Sequence, residues 1–259
     1  MSDEITVSRD GAVLRLGFNR PDKKNAITTV MYAALADGLA EAQEDKSIRA
    51  VLFEGNGDFF TSGNDIGDFM SGAALADDTH GSRPVVRFLE AIAMAEKPLI
   101  AAVNGPAVGV GVTMLFHCDL VYASEAATFH TPFTDLAVVP EAASSLLLPR
   151  IAGHQRAAEM FILAKKIDAA RAREFGFVNE VVAAEALEET ALGAARAIAE
   201  KAPEAVRLTK QLMKGGRKEI LAHMEEEGAH FAAQLQSAEF REAGAAFLQK
   251  RKPDFSKLE

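Results

Sequence analysis

Two glycine-containing turns and one glutamate are the residues of this chain whose types and surroundings could do chemistry. One turn, residues 59–66 (FFTSGNDI), follows an apolar run at 49–54, and the other, residues 105–111 (GPAVGVG), follows an apolar run at 98–103. Glycine lets a ligand approach the backbone closely, and a helix that begins at such a turn presents free N–H groups. Two such turns could direct their N–H groups at one oxygen atom, which is the arrangement of an oxyanion hole. The spacing alone is equally compatible with two plain tight turns.

Glu141 is the candidate general base. It follows Pro140 within the otherwise apolar stretch 136–149. Apolar surroundings raise the pKa of a carboxyl group toward neutrality, which suits a base that must later return its proton. The alternative is structural, because a proline at the first helical position and an acid in the first turn both favour the start of a helix. By the same reasoning, Asp65 is interpreted as a helix-start residue rather than a catalyst.

Other common catalytic motifs are missing from the sequence. The segment that starts at Gly109 lacks the third glycine of a dinucleotide-binding loop, and no Lys-Ser/Thr pair follows it as a P-loop requires. The sequence has no His-Glu-x-x-His, no Cys-x-x-Cys and no Gly-x-Ser-x-Gly. We therefore expect no metal site, and neither nucleotide binding nor serine-hydrolase chemistry is favoured.

Length and composition indicate one globular domain, or one domain with a small appendage. The chain has 259 residues, of which 49% are hydrophobic and 25% charged. Its formal net charge of −9 disfavours nucleic acid as a partner. The single cysteine, Cys118, cannot form an internal disulfide, no secretion signal is visible, and the apolar runs are shorter than the about 20 residues that span a membrane. We expect an intracellular protein that does not enter membranes.

Hydrophobic patterning predicts an α/β core followed by a helical region. Strands are predicted at 5–7, 13–18, 49–54, 98–103, 119–123 and 129–131, with a hairpin turn at Asp10-Gly11. Helices are predicted from Thr28 or Thr29 to about 46, at 85–96 and at 112–117. After Pro140 the predicted helices are 141–148, 154–164, 169–174, 184–201, 203–214 and 218–250, with one strand at 177–182. Residues 68–84 have little periodicity and are interpreted as a lid-like connection.

Several ordered motifs together resemble the crotonase (enoyl-CoA hydratase/isomerase) superfamily. They are Asn19-Arg20-Pro21 with Asn25-Ala26, then FTSGNDI at 60–66, NGPAVGVG at 104–111 and Cys118-Asp119, and the similarity extends from about 5 to 255. The resemblance implies an α/β fold with a ββα spiral core and a C-terminal helical trimerisation region. We place the core at 1–200 and the helical region at 201–259. It also implies a homotrimer or a dimer of trimers.

The same resemblance implies a site for an acyl-CoA thioester, in which coenzyme A is part of the substrate and no separate cofactor is needed. The N–H groups of Asn64 and Val110 would form the oxyanion hole, with Glu141 as the base. Residues implied to contact the coenzyme A portion are Lys24, Ala26, Ser62, Gly63, Asp65, Ile66, Phe247 and Lys250. Residues implied to line the substrate pocket are Thr113, Phe133 and Leu136.

Two positions depart from the hydratases of the superfamily, which use two glutamates to activate water. Thr113 and Phe133 occupy those positions here. The segments 105–109 and 127–133, and Pro140-Glu141 with Ser144-Ser145, resemble the peroxisomal-type Δ3,Δ2-enoyl-CoA isomerases, whose single catalytic glutamate lies at the place of Glu141. The implied reaction is conversion of 3-enoyl-CoA to trans-2-enoyl-CoA. A hydratase or another acyl-CoA lyase remains the alternative, and RNA binding a remote one.

The compartment is predicted from the C-terminus. Residues 256–258 (SKL) resemble a peroxisomal address, but such a signal must be terminal and Glu259 follows it. We therefore expect a bacterial cytoplasmic enzyme.

Overall fold

A mixed sheet of six strands forms the centre of the fold. The computed structural model describes residues 3–65, 67–68, 83–249 and 251–257, without the side chains of Phe247 and Lys257. The sheet has the order β1-β2-β3-β4-β6-β9. Its strands are β1 (Ile5–Asp10), β2 (Val13–Phe18), β3 (Ala50–Gly55), β4 (Leu99–Val103), β6 (Leu120–Ser124) and β9 (Glu180–Val182). A smaller sheet, β5-β7-β8, contains β5 (Ala107–Val108), β7 (Thr128–His130) and β8 (Ile167–Asp168).

Only the β1–β2 hairpin of the large sheet is antiparallel, and its four other strand pairs are parallel. In register, Val51 pairs with Leu99 and Ala101 pairs with Val121. All five residues of β4 are buried, as expected for a parallel strand that is covered on both faces.

Helices cover both faces of the large sheet. The helices are α1 (Thr29–Glu44), α2 (Pro84–Met94), α3 (Val110–Thr113), α4 (Ser144–Ala152), α5 (His154–Phe161), α6 (Ala169–Phe175), α7 (Leu187–Ala199), α8 (Pro203–Lys214), α9 (Arg217–Gln234) and α10 (Ala238–Leu248). On one face, Leu52 and Ile100 pack with Leu187 and Ala191 of α7. On the other face, Phe53 belongs to the main core together with residues of α1 and α2.

The start of α1 follows the prediction. The Thr28 side chain accepts a hydrogen bond from the Met31 N–H at 3.3 Å and so satisfies one of the free donors at the helix N-terminus. Met31, Leu35 and Leu39 of this helix are buried on one face. The helix carries Tyr32, also buried, toward the two glycine-containing turns.

Several predicted helix boundaries are wrong. The helix predicted at 141–148 begins only at Ser144, because Ala142 and Ala143 have left-handed φ angles of 62° and 53°. The predicted helix 218–250 is two helices, α9 and α10, separated at 235–237. The helix predicted at 112–117 is the short α3 followed by a 3-10 segment, Met114–His117, and the strand predicted at 177–182 covers only Glu180–Val182.

Two lysines of α8 attach the C-terminal helices to the core. Lys210, which is 4% exposed, donates to the carbonyl oxygen of Lys97 and to Oδ2 of Asp119, both at 2.7 Å. Lys214 donates to the carbonyl oxygens of Ile92 and His117 at 3.2 and 3.1 Å. Burial lowers the pKa of Lys214 to about 8. The boundary between the core, 1–200, and the C-terminal helical region, 201–259, stays a prediction.

Burial also affects Cys118, the single cysteine of the chain. Cys118 is partly buried, and burial raises the pKa of its thiol to about 12.

Across the residues that the structure describes, no helix combines the length and the apolar character that crossing a bilayer requires. Of the lid-like connection predicted at 68–84, residues 69–82 lie outside the described residues.

Candidate active site

The two glycine-containing turns lie against each other. Thr61 and Ala107 form an isolated parallel bridge, and the Val108 N–H donates to the Thr61 carbonyl oxygen at 3.0 Å. Gly63 has a φ of 84°, and a Cβ atom at this position would lie 2.9 Å from the Val108 carbonyl oxygen. Only glycine fits this close contact without strain. The structure therefore brings the two turns together, as an oxyanion hole would require.

The backbone N–H groups of Asn64 and Val110 are exposed by these turns. Val110 is the first residue of α3, and Gly109 before it has a φ of 55°. In the described ranges, neither N–H group has a hydrogen-bond acceptor within the protein. N–H groups at a helix N-terminus are available to a ligand oxygen. The assignment of Asn64 and Val110 as oxyanion donors stays a prediction that is compatible with this geometry.

Glu141 is linked to the second turn through Thr113. The Thr113 hydroxyl donates to Oε1 of Glu141, and it also lies 3.4 Å from the carbonyl oxygen of Val110. Burial raises the pKa of Glu141 to about 7, the Thr113 hydrogen bond opposes that rise, and the negative charge of Glu227 adds to it. Since this value is near neutrality, Glu141 can both accept and release a proton at pH 7.

His117 fixes the backbone directly after Glu141. Its Nε2 lies 2.8 Å from the carbonyl oxygen of Ala142. Burial lowers the pKa of His117 to about 3, so the ring is neutral at pH 7. Because a carbonyl oxygen only accepts hydrogen bonds, Nε2 carries the proton and donates it. The contact anchors Ala142, one of the two residues with a left-handed conformation.

Glu141 and Asn64 line a common cavity of about 520 Å³ between α1, α2 and α9. The Tyr32 hydroxyl at its wall donates to Oδ1 of Asn64. Much of the wall is apolar and includes Ile27, Val85, Leu89, Leu221, Met224 and Phe231. A mainly apolar cleft of this size with a few convergent polar groups is typical of a small-molecule site.

Comparison with known proteins decides the family. The profile of the family described as "Enoyl-CoA hydratase/isomerase" matches residues 8–258. The chain belongs to the enoyl-CoA hydratase/isomerase family. This is the crotonase family indicated by the sequence motifs.

Relatives of both reaction types align over most of this enoyl-CoA hydratase/isomerase family member. Enoyl-CoA delta isomerase 2 of Rattus norvegicus is 39% identical over 97% of this chain, and the chain spans 65% of that relative's length. Enoyl-CoA delta isomerase 3, peroxisomal, of Mus musculus is 38% identical, with coverage of 85% of this chain and 70% of the relative. The 2,3-dehydroadipyl-CoA hydratase of Escherichia coli (strain K12) is 34% identical, with coverage of 97% and 98%.

Solved structures confirm the fold prediction. The crystal structure of an enoyl-CoA hydratase/isomerase from Pseudoalteromonas atlantica T6c matches with a TM-score of 0.93 and 46% identity, over 98% of this chain and 100% of that one. A carnitinyl-CoA hydratase from Mycobacterium avium matches with a TM-score of 0.90 and 29% identity, over 98% of each chain. The α/β crotonase fold with a C-terminal helical region is therefore established for this chain.

Most residues that the family resemblance assigns to coenzyme A lie together beside the first turn. The Ser62 N–H donates to the carbonyl oxygen of Lys24 at 3.0 Å, and the exposed Lys24 ammonium lies 5.2 Å from the centroid of the Phe59 ring. Ala26 and Gly63 belong to the same pair of segments, since the Ile27 N–H donates to the Gly63 carbonyl oxygen at 2.8 Å. Ile66, Lys250 and the Phe247 side chain lie outside the described residues.

Asp65 is a helix-start residue, as predicted. Its Oδ1 accepts from the N–H groups of Gly67 and Asp68 at 2.9 and 3.2 Å, and residues 67–68 are helical. Its Oδ2 is 2.7 Å from Nη1 of Arg20, and that contact lowers the pKa of Asp65. Asp65 also lines the cavity, but its ion pair with Arg20 keeps the carboxylate charged and engages one of its oxygens.

The three predicted pocket residues lie in different places. Thr113 is fully buried and contacts Glu141, and none of the three is part of the cavity wall in the described ranges. Phe133 packs against Phe161 with ring centroids 6.1 Å apart, and Leu136 is 37% exposed. The following Thr134 hydroxyl contacts the carbonyl oxygens of Phe161 and Ile162 at 3.2 Å, which directs this segment toward α5.

Four residues near the site were not predicted: Tyr32, Ser145, His223 and Glu227. Ser145 is part of the motif that contains Pro140-Glu141, and the other three give no signal of their own in the sequence. Glu227 is 82 residues from Ser145 in sequence, so no spacing rule could pair them. Within the part of the chain that the structure describes, no group of three or more His, Cys, Asp or Glu side chains is arranged to hold a metal ion.

Proposed function

We propose that this protein is a Δ3,Δ2-enoyl-CoA isomerase that uses Glu141 as its base. The observation that carries the proposal is a glutamate with a pKa of about 7 in an apolar cavity, beside two turns with free N–H groups. The other carboxylates of the cavity wall are less suited to act as the base. Asp65 is paired with Arg20, Asp68 accepts a hydrogen bond from the Thr29 N–H at 2.8 Å, and Glu90 and Glu225 are exposed.

The reaction needs one proton carrier and one anion-stabilising site. The thioester oxygen of a 3-enoyl-CoA accepts hydrogen bonds from the N–H groups of Asn64 and Val110. Glu141 removes a C2 proton, the resulting dienolate is stabilised by these donors, and Glu141 returns the proton at C4. The double bond then lies between C2 and C3 with no net gain or loss of protons. A single donor of this kind contributes about 10²–10³ in rate.

Thr113 and Phe133 support isomerisation rather than hydration. They occupy the positions at which hydratases of the family carry two glutamates, and neither can activate water as a carboxylate does. Thr113 also directs its hydroxyl at Glu141. The apolar wall excludes water from the dienolate, which favours return of the proton over side reactions.

The test is turnover of a 3-enoyl-CoA by the wild-type protein and by Glu141→Gln. We expect Glu141→Gln to lose about 10²–10⁴-fold in kcat, the usual contribution of a positioned acid or base. Glu226→Gln is a matched control, because that side chain is 68% exposed and makes the same change of charge. Near-normal isomerisation by Glu141→Gln would contradict the proposal.

A hydration assay distinguishes an isomerase from an enoyl-CoA hydratase. Addition of water to crotonyl-CoA is followed by the loss of the conjugated thioester absorbance. We expect isomerisation to be much faster than hydration at equal enzyme concentration. A hydration rate equal to or above the isomerisation rate supports the hydratase alternative.

We extend the proposal to assembly and compartment: a homotrimer or a dimer of trimers, acting in the bacterial cytoplasm on acyl-CoA without a separate cofactor. Large apolar side chains that are exposed in the single chain support assembly, and they include Ile162, Leu163, Leu212 and Met213. Sedimentation velocity at micromolar concentration is the test of assembly, and a monomer there contradicts it. Fractionation of a producing bacterium tests the compartment.

A further inference from the structure

Ser145, His223 and Glu227 form a cluster beside the segment that carries Glu141. Oε1 of Glu227 accepts hydrogen bonds from the Ser145 N–H, at 2.9 Å, and from the Ser145 hydroxyl. Nε2 of His223 lies 2.7 Å from the Ser145 Oγ. Glu227 is 6% exposed, and its Oε2 has no hydrogen-bond partner among the described residues. The cluster thus joins α9 to the first turn of α4.

The hydrogen-bond directions exclude a serine nucleophile activated by His223. The Ser145 hydroxyl has one proton, which it donates to the Glu227 carboxylate, so His223 Nε2 must be the donor to Ser145 Oγ. A nucleophilic serine would instead give its proton to the histidine. None of the three side chains is part of the cavity wall within the described ranges. The cluster therefore acts on the site through another residue.

That residue is Glu141, because the cluster fixes one side of the turn that presents it. Ala142 and Ala143, directly after Glu141, have φ angles of 62° and 53°. Two successive left-handed residues other than glycine are strained, and such a turn persists only when its surroundings hold it. His117 is one anchor, at the carbonyl oxygen of Ala142. Glu227 is the second anchor, at the N–H group of the residue two positions after Ala143.

Packing of α9 supports the same conclusion. Ala143 and Ile220 of α9 belong to one small buried cluster, and Leu221 and Met224, which line the cavity, pack against it. The helix that forms one wall of the cavity therefore also holds the backbone next to Glu141.

Stability alone does not account for a carboxylate at this position. A buried carboxylate is expensive even when it is paired, and an oxygen without a partner adds to that cost. A serine or aspartate at the N-cap would satisfy the start of α4 from within its own segment, but Ala143 stands there. The charge of Glu227 also raises the pKa of Glu141.

We propose that Glu227 and Ser145 are positioning residues for the base, because their contacts fix the Ala142–Ala143 turn that presents Glu141. This inference rests on the proposed function. It assigns α9 a part in the chemistry in addition to its part in the cavity wall.

The charged and titratable groups that surround Glu141 come from several elements. Burial and the charge of Glu141 raise the pKa of Tyr32 of α1, and the charge of Glu227 of α9 raises the pKa of Glu141. His117 lies behind the turn with Lys210 and Lys214. The same cavity is lined by Asp65, Asp68, Arg83, Glu90 and Glu225, and His223 and Glu226 lie next to Glu227. Glu227 is the group among these whose charge raises the pKa of Glu141.

The experiment compares Glu227→Gln with the wild type by kinetics and by NMR. Glutamine keeps the shape and one acceptor oxygen but removes the charge. We expect kcat for a 3-enoyl-CoA to fall about 10-fold, as for loss of one hydrogen bond to a charged group, with KM changed less than about twofold. The acid limb of the kcat profile moves to lower pH, and so does the ¹³C titration of the Glu141 carboxyl, assigned by its absence in Glu141→Gln.

Two further variants complete the design. Glu226→Gln makes the same substitution one residue earlier on the exposed side of α9, and its kcat and Glu141 titration should equal those of the wild type. Ser145→Ala keeps the Glu227 charge but removes the hydroxyl contact, so kcat should fall roughly 3–10-fold without a downward move of the Glu141 titration. Thermal unfolding of each variant establishes that it is folded.

The outcomes separate this inference from the proposed function. If Glu141→Gln is inactive but a folded Glu227→Gln keeps the wild-type kcat and Glu141 titration, the inference is overturned and the proposed function stands. If the wild type does not isomerise 3-enoyl-CoA, the proposed function fails, and an unchanged Glu141 titration in Glu227→Gln overturns the inference as well. If Glu227→Gln does not fold, Ser145→Ala decides, and a wild-type kcat in that variant overturns the inference.

Discussion

At the scale of single residues, the surroundings of Glu141 determine the pH at which the base is ionised. Burial raises its pKa from 4.5 to about 7, and the hydrogen bond from Thr113 lowers it from the value that burial alone would give. Only the ionised carboxylate can take the C2 proton. We therefore expect kcat to rise with pH through about 7, and the opposing effects of Thr113 and Glu227 to be separable by mutation.

Thr113→Val tests the hydrogen bond, because valine has nearly the shape of threonine but no hydroxyl. Loss of the bond favours the protonated form of Glu141, so the acid limb of the kcat profile should move to higher pH. Activity at pH 6.5–7 should fall severalfold, by roughly 3–10-fold for one hydrogen bond. Thr113→Ser retains the hydroxyl, so the acid limb of its kcat profile should lie at the same pH as in the wild type. A limb that moves to lower pH in Thr113→Val contradicts this assignment.

Glu141→Gln also has an expected effect on stability that depends on pH. Because the folded protein holds the Glu141 proton up to about pH 7 and the unfolded chain releases it near 4.5, the wild type loses stability as pH rises between these values. The glutamine variant has no such loss. At pH 8 it should be more stable than the wild type, by on the order of 3 kcal/mol at most, and the difference should vanish at pH 4. Urea unfolding at the two pH values measures it, and equal stability at pH 8 contradicts the burial.

The sequence predicted part of this site. A glutamate after proline in an apolar stretch was enough to select Glu141, and two glycine-containing turns were enough to select Asn64 and Val110. Tyr32 and Glu227 escaped prediction because their contacts join elements that are far apart in sequence. Motif spacing describes neighbours along the chain, whereas these side chains become neighbours only when helices pack.

At the scale of elements, the contact between the two turns depends on Gly63. Gly63→Ala places a Cβ 2.9 Å from the Val108 carbonyl oxygen and forces a left-handed alanine as well. Gly11→Ala is the matched control, because Gly11 also has a positive φ, 54°, but an added Cβ meets nothing within 4 Å. We expect Gly11→Ala to lose about 1 kcal/mol of unfolding free energy with normal kcat.

For Gly63→Ala we expect a larger loss of stability and a fall in kcat. The strain adds to the steric contact, which moves the Asn64 and Val110 N–H groups relative to each other, and misplaced donors lose much of their effect. Denaturant unfolding and 3-enoyl-CoA turnover are the measurements. If both variants behave alike, then the close approach of the turns has no part in function.

Helix boundaries show where local signals suffice. The range Pro203–Lys214 was predicted because proline at the first position and a Gly-Gly pair after the last one mark both ends of α8. The same proline rule failed at Pro140-Glu141. There the contacts of His117 and Glu227 hold Ala142 and Ala143 in a conformation that no helix contains. Tertiary contacts outweighed local preference at the residues beside the candidate base.

At the scale of the whole molecule, buried Lys210 attaches the C-terminal helices to the sheet. Lys210→Met removes the positive charge next to Asp119. The Asp119 carboxylate then keeps its hydrogen bond from the Leu99 N–H, at 2.7 Å. Breaking one side of a fully buried ion pair costs about 3–5 kcal/mol, and the Asp119 side chain is 26% exposed. We expect a loss of unfolding free energy at or below the lower end of that range. Lys201→Met, at an exposed position just before α8, should change stability by less than about 0.5 kcal/mol.

Denaturant unfolding of both lysine variants measures this difference. If Lys210→Met is as stable as Lys201→Met, the attachment of α8 does not depend on the ion pair. The attachment of α8 also affects the site, because α8 leads directly into α9, which bears Glu227 and one wall of the cavity.

The raised pKa of Cys118 has a practical consequence for watching α9 move. Thiol reagents attack the thiolate, and a thiol with a pKa of about 12 is almost wholly protonated at neutral pH. Since Cys118 is the single cysteine of the chain, a new exposed cysteine on α9 would react with a maleimide dye far faster than the native one. The position of this helix can therefore be followed by fluorescence during turnover, with Cys118 left in place.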